Sequence, residues 1–359
     1  MLVQIRTPAL LTVALAIAVL LAPAGPAHAV PGCDKYASPA GNDLSEGSEA
    51  APYKSVKKLV ESLPSGQTGC LRTGTYPGPD NGAAVPSPLY LEGANSTLRS
   101  YPGERATVDA RLEIRGAGAR VTELTLNAAT LNTTVIPLKL VGDRSVLSFS
   151  NVTSSGRVGT CIHIGTGNTK PTGVVVENNS IYGCGPDEGG ANKFDHNIYV
   201  AKSQGAIIRF NVLRNNEGGW GVHLYPDADG TLVEHNMIDS DHGGVVFAGD
   251  GSGTKSDNNE VRFNSLTYPD TGGGIPRYNL EGSWSGGPVG TGNSAHHNCV
   301  HSSGAGAPSG IQSPASGFTA TDNIVFTAGT DLDRTVDAYH AWAYNPCAIP
   351  AAVVVGPHR

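Results

Sequence analysis

One asparagine recurs along this chain. The segments VVVENNSIYG, AIIRFNVLRN, TLVEHNMIDS, EVRFNSLTYP, SAHHNCVHSS and FTATDNIVFT align so that Asn179, Asn211, Asn236, Asn264, Asn298 and Asn323 share one column. LSFSNVTSS extends the column to Asn151, giving intervals of 28, 32, 25, 28, 34 and 25 residues. Self-similarity at such a period marks a chain whose repeats stack each on its neighbours. Ile181, Leu213, Ile238 and Leu266 follow their asparagines by two positions, and apolar and polar residues alternate on both sides. Period-two patterning around a fixed residue predicts a strand, a turn and a second strand. The asparagine marks the turn, where its amide can bond local backbone or its own counterpart about 4.8 Å away in the next repeat.

A second column supports the first. Glu177, Arg209, Glu234 and Arg262 stand two positions before the asparagine and alternate in sign, so stacked repeats bring opposite charges together. These four are surface structure, each exposed pair contributing on the order of 0.2–1 kcal/mol. An earlier strand also repeats: CIHIG, NIYVA, GVHLY and VVFAG align. In that alignment Ile162, Ile198, Val222 and Val246 point inward beside Ile164, Val200, Leu224 and Ala248, while His163, Tyr199, His223 and Phe247 point outward. One such coil cannot bury its apolar face alone, whereas a stack of coils forms a continuous core.

Composition agrees with a chain of strands and turns: 47 Gly and 24 Pro stand against two Met. An all-β protein is expected. The repeats resemble those of right-handed parallel β-helix proteins, the superfold of pectate lyases and other carbohydrate-active enzymes. The stretch from Tyr36 to Gly78 is similar to the lead-in of that class, in which a strand and a Gly-Asn-Asp loop precede an amphipathic helix and the first coil. Here Val56, Leu59, Val60 and Leu63 follow helical spacing, so the helix is expected to cap the open end of the core. The resulting division is 1–29 leader, 30–72 lead-in and capping helix, 73–345 right-handed parallel β-helix (a single-stranded solenoid) and 346–359 C-terminal tail.

The leader reads as a secretory signal peptide, with one Arg ahead of an apolar stretch ending in Ala27-His28-Ala29 and a cut expected before Val30. Secretion follows, and no later segment has the roughly 18 apolar residues of a membrane span. A formal charge of −7 argues against nucleic-acid or anionic-membrane partners. A monomer acting on a polysaccharide is expected. The six cysteines of an exported chain suit disulfides. Neighbour pairing, one of 15 connectivities, would join Cys33 to Cys70, Cys161 to Cys184 and Cys299 to Cys347.

Polar side chains outside the repeated columns gather between residues 187 and 281. With the strands aligned, Lys193, Glu217 and Asp241 share a column, Asp195 faces Gly219 and Gly243, and His196 faces Trp220 and Gly244. The glycines leave space beside Asp195 and His196. A sugar-binding cleft is expected there, centred on Lys193, Asp195, His196 and His223, with Tyr199 and Trp220 as stacking surfaces and Glu217, Tyr225, Asp241 and His242 around it. The plainer reading makes the lysine column a surface charge ladder and His196 a turn residue bonded to backbone.

The resemblance implies reactions. β-Elimination on a uronic-acid polymer needs a base for the proton beside the carboxylate and donors for the enolate-like charge. By resemblance Lys193 is the first candidate base and Arg277 the second, with His196 or His223 as proton donor or carboxylate partner. Calcium serves many such lyases, and Asp227, Asp229 and Asp250 offer loop oxygens for it, although Asp-Gly loops are also ordinary turns. A glycoside hydrolase is the alternative, using Glu217 with Asp241 or Asp239 with Asp241. A uronate C5-epimerase and a non-catalytic glycan-binding β-helix complete the set.

Overall fold

The computed structural model describes residues 32–131, 136–156, 159–185, 195–216, 218–239, 243–267, 278–282, 287–301, 310–312 and 317–326. The expected leader, the tail and Cys347 lie outside them. Three long sheets of parallel strand pairs, of eleven, ten and eight strands among the described residues, run side by side. Each coil visits them in turn. Ile162–Ile164 belongs to the eight-stranded sheet, Val175–Glu177 to the eleven-stranded and Ser180–Tyr182 to the ten-stranded, and Ile198–Val200 then returns beside Ile162–Ile164. This is the parallel β-helix that the resemblance implies.

Inward residues from all three sheets make one core. Ile162, Val176, Ile181, Ile198, Ile208 and Leu213 are fully or almost fully buried in it, each burial stabilising by about 1.5–3 kcal/mol. At the N-terminal end the helix Val56–Glu61 buries Val56, Leu59 and Val60, and the Ser55 side chain caps it by accepting from Lys58 N. Leu59 lies against Gly69 so closely that a Cβ there would meet its side chain at 3.1 Å. Leu63 is buried beyond the helix end. The strands Lys35–Ala37 and Thr68–Leu71 of the lead-in already pair within the eleven-stranded sheet, and the Cys33–Cys70 disulfide ties them.

The asparagine column forms a ladder of amides at the corner between the eleven- and ten-stranded sheets. Asn179 Nδ2 donates to Asn211 Oδ1 at 3.0 Å, and the same bond repeats from Asn211 to Asn236, Asn264, Asn298 and Asn323 at 2.9–3.0 Å. Each acceptor also takes the backbone N–H of the preceding asparagine. Each donor also reaches a strand carbonyl, from Leu147 through Ala295. The residue before each asparagine is left-handed, with φ of 52–56° from Asn178 to Asp322, a conformation costing roughly 1–2 kcal/mol outside glycine. The ladder holds that turn.

Two sequence expectations shift. Asn151 is not in the ladder; Ser150 holds that place, its N–H donating to Asn179 Oδ1 at 3.0 Å, while Asn151 begins the strand Asn151–Thr153. Val222 pairs with Val245 and Leu224 with Phe247, so Val245 and Phe247 point into the core and Val246 outward. A second ladder stands five residues before the first, where Asn259 Nδ2 donates to Asn293 Oδ1 at 3.0 Å and Thr231 N donates to Asn259 Oδ1 at 2.8 Å. The charged column stacks as expected, with Arg209 to Glu177 at 2.7 Å and Arg262 to Glu234 at 2.9 Å.

Replacing a ladder amide leaves several buried groups unpartnered, whereas removing a column charge leaves them in water. Asn236→Ala is expected to cost about 2–4 kcal/mol and Glu234→Ala less than about 1 kcal/mol. Urea denaturation of the two variants compares them, and equal losses would refute a structural ladder.

Candidate active site

The corner between the ten- and eight-stranded sheets varies from coil to coil, and the segment Asp195–Asn197 is strapped down there. His196 O accepts from Cys161 N at 3.0 Å and Asn197 O from Ile162 N at 3.0 Å. Asn197 Nδ2 donates to Ile181 O at 3.2 Å and approaches Cys184 Sγ at 3.5 Å. Cys161 and Cys184 are disulfide-bonded, as neighbour pairing predicts, so the tether is covalently braced. One coil later Asn216 Nδ2 donates to Asp195 O at 2.9 Å. Gly219 packs so tightly that a Cβ would lie 1.9 Å from Asp195 O and 2.4 Å from His196 Nδ1. That glycine admits the histidine, as its alignment with Asp195 suggested. Gly243 instead lies over Trp220, where a Cβ would stand 2.3 Å from Cδ1. It does not face Asp195, because the strand register is shifted by one residue.

Outward side chains build the site on the eight-stranded sheet. His163, Tyr199, His223, Val246 and Glu281 occupy successive rungs in register. Tyr199 stacks on His163 with ring centroids 4.8 Å apart and on His196 at 5.5 Å. His223 stacks on Tyr225 at 5.2 Å, and Trp220 sits 4.9 Å from His223. Trp220 N donates to His196 Nδ1 at 3.2 Å, and His196 Nε2 lies 3.0 Å from His223 Nδ1. The Trp220 indole N–H donates to Glu281 Oε2 at 3.0 Å.

Asp195, His196, Trp220, His223 and Glu281 are all at least nineteen-twentieths buried. The expectation of an open cleft with Trp220 as an exposed stacking surface is corrected: the indole is wholly covered and acts as a hydrogen-bond donor and packing wall. Tyr199 and Tyr225 keep partial exposure. His163, His196, Tyr199, Trp220, His223 and Tyr225 therefore lie together, whereas the Asp195 carboxyl lies against Gly185, where a Cβ would stand 2.6 Å from Oδ2. Lys193, Glu217, Asp241, His242 and Arg277 lie outside the described residues. Glu281 was not singled out from sequence. Its signal was available in NLEGS, which has an apolar residue and a glycine flanking an outward acidic one.

The expected calcium ligands do not fit the ion. Asp227 Oδ1 and Asp229 Oδ2 each bond Lys170 Nζ at 2.7 Å, so an ammonium already stands between them. Asp250 turns on its own loop, accepting from Ser252 N at 3.0 Å and Thr254 N at 2.9 Å. Among the described residues no group of three acidic, histidine or cysteine side chains is arranged to hold a metal.

Burial sets the protonation states around the site. It pushes His163 down to about 4, with the Lys139 cation on the adjacent rung adding to the effect. It raises the Tyr199 phenol, with Tyr225 and Asp250 assisting, and it raises Tyr225 with Asp250. On the ten-stranded sheet His301 is likewise pushed down to about 4 by burial, opposed by Asp239; its ring stacks on Phe326 at 4.6 Å.

A histidine whose folded pKa lies below its unfolded value takes up its proton more readily when unfolded, so stability rises with pH. For His163 and His301 the contribution is complete above about 6.5 and is lost as pH falls toward about 4. The melting temperature should fall across that window, and His163→Gln should make the fall shallower. An unchanged slope in His163→Gln would show that the ring does not titrate there.

No protein-family model matches the chain, and no curated protein sequence matches it. Among solved structures, the pectate lyase Pel9A is similar over 83% of this chain and 78% of that one, at 12% identity and a TM-score of 0.55. A rhamnogalacturonan lyase is similar over 86% and 94%, at 13% identity and a TM-score of 0.45. The catalytic unit of a GH87 α-1,3-glucanase from Streptomyces thermodiastaticus strain HF3-3 is similar over 76% and 66%, at 13% identity and a TM-score of 0.38. At these identities the likeness establishes architecture alone, and it is the Pel9A match that carries it: this chain folds as a parallel β-helix.

Proposed function

We propose that this protein is a secreted enzyme that cleaves a uronic-acid-containing polysaccharide by β-elimination on the outer face of the eight-stranded sheet. The observation that carries the reading is the cluster of His196, His223, Trp220 and Glu281, which buries titratable groups outside the apolar core. Desolvating such groups costs several kcal/mol unless they are bonded, and sites that do so are where acid–base chemistry concentrates. The partly exposed Tyr199 and Tyr225 offer ring surface for a sugar. Pel9A is a pectate lyase, and the proposal extends that class of chemistry to this chain. Secretion accords with the disulfides Cys33–Cys70 and Cys161–Cys184.

In this reading a base removes the proton at C5, beside the uronate carboxylate. Negative charge spreads onto the carboxylate, and the glycosidic oxygen at C4 leaves with a proton. Lys193 is the first candidate base and Arg277 the second. His223 serves as the hydrogen-bond donor to the carboxylate or to the leaving oxygen, and the covered site strengthens that bond by excluding water. A second reading, glycoside hydrolysis, is favoured by one feature: Glu281 and Asp195 supply two buried carboxyl groups.

A panel of uronic-acid polysaccharides, followed by the ultraviolet absorbance of unsaturated products, tests the proposal. Elimination predicts that absorbance, and Lys193→Ala should lower turnover by roughly 10² or more with little change in melting temperature. Full activity in Lys193→Ala moves the role to Arg277. Reducing ends released without unsaturated product, and lost in Glu281→Gln, would replace elimination by hydrolysis. The absence of any turnover on acidic and neutral glycans would leave a glycan-binding β-helix.

A further inference from the structure

Two hydrogen bonds at the His196 ring run in one direction. Trp220 N carries its proton, so His196 Nδ1 can only accept at 3.2 Å. A neutral imidazole has a single proton, and with Nδ1 accepting it resides on Nε2. Nε2 is the atom 3.0 Å from His223 Nδ1, which must then accept in its turn. The single proton of a neutral His223 is thereby placed on Nε2, the far side of its ring. We infer that His196 is a positioning residue that sets the tautomer of His223 and fixes the edge from which His223 donates.

The surroundings hold both rings in the geometry this requires. Tyr199 lies nearly parallel to His196, with 16° between planes, and meets the His223 ring edge-on at 88°. The two imidazoles cross at 77°, with His196 Nε2 3.0 Å from His223 Nδ1. The absence of a side chain at Gly219 allows His196 Nδ1 to reach the Trp220 amide, because a Cβ at Gly219 would stand 2.4 Å from that nitrogen. Backbone is a better anchor than a side chain for such a device, since the Trp220 N–H cannot exchange its role for that of an acceptor. Which nitrogen of a histidine carries its proton is set by the bond made at the other one.

This inference rests on the reading of His223 as a donor for its purpose, but not for its test. Histidine-selective ¹⁵N labelling of the intact protein reports which ring nitrogen of His223 is protonated, without any substrate, and His223→Gln assigns the signal. The Nε2-protonated form is expected at neutral pH. His196→Gln keeps an amide donor near the Nε2 position and should preserve that tautomer. His196→Ala should shift His223 to a mixture of both tautomers or to the Nδ1-protonated form. A wild-type His223 protonated on Nδ1 overturns the inference, as does an unchanged tautomer in a folded His196→Ala. If His196→Ala does not fold, the wild-type spectrum and His196→Gln decide it alone. Failure to find a polysaccharide substrate would refute the proposed activity and leave these spectra unaffected.

Discussion

Everything in this fold depends on turning the chain from the eleven-stranded sheet into the ten-stranded sheet within two residues. At Glu177, Asn178, Asn179 and Ser180 one strand ends and the next begins with no room for a loop. Such a corner strands backbone polar groups where water does not reach, and they must be bonded internally. A stacked asparagine meets the demand because its amide donates and accepts at once, along the axis to its neighbour and across to a strand carbonyl. A uniform corner forces a uniform rise, which is why the registers Glu177 to Arg209, Arg209 to Glu234 and Glu234 to Arg262 follow without slippage. Variation is displaced to the other two corners, of which the one between the ten- and eight-stranded sheets bears on the site. There Tyr182 to Ile198, Arg214 to Trp220 and Asp239 to Gly243 are joined by segments of different length, and the candidate site occupies that variable corner.

The same logic explains what could be read from the sequence. A residue with one physical task repeated at one place leaves a column, so Asn179 through Asn323 and the alternating charges were legible. The errors are of one kind. Ser150 replaces asparagine in the ladder with a smaller group that still lets its N–H reach Asn179 Oδ1, and the adjacent Asn151 drew the alignment off by one. In GGVVFAG, Val245, Val246 and Phe247 are all apolar, so alternation gives no phase. The outward Val246 packs on Trp220 and Ala248 rather than facing water, which erases the polar mark of an outer position. The second ladder escaped notice because its places change identity from Ser145 through Ala206 and Thr231 to Asn259 and Asn293.

The site was legible to the extent that it borrows from the repeat. Tyr199 and His223 are outward residues of aligned strands, and His196 and Trp220 fall opposite one another by the same register. Burial was not legible, because it depends on what neighbouring coils lay over a residue, and Trp220 became a covered wall instead of an open platform. Glu281 was missed because its rung follows Val246, whose apolar side chain interrupts the column that His163, Tyr199 and His223 begin. The calcium reading did not foresee a partner from far away in sequence, since Lys170 reaches Asp227 and Asp229 across 57 and 59 residues. Acidic turns advertise their oxygens but not the cation that already holds them.

Position along the stack also bears on function. In a solenoid each coil is stabilised by the two that flank it, so the end coils open first and the middle ones last. At one end the short helix and Leu59 close the core over Gly69. Along the last described strand, Ile324 and Val325 are 51% and 39% exposed. The candidate residues lie on rungs from Ile162 to Gly282, flanked by described coils on both sides. A network of buried, directional hydrogen bonds needs such a place. Its members lose far more when one partner drifts than an apolar contact does, and a coil that frays would leave His196, His223 and Glu281 desolvated without their bonds.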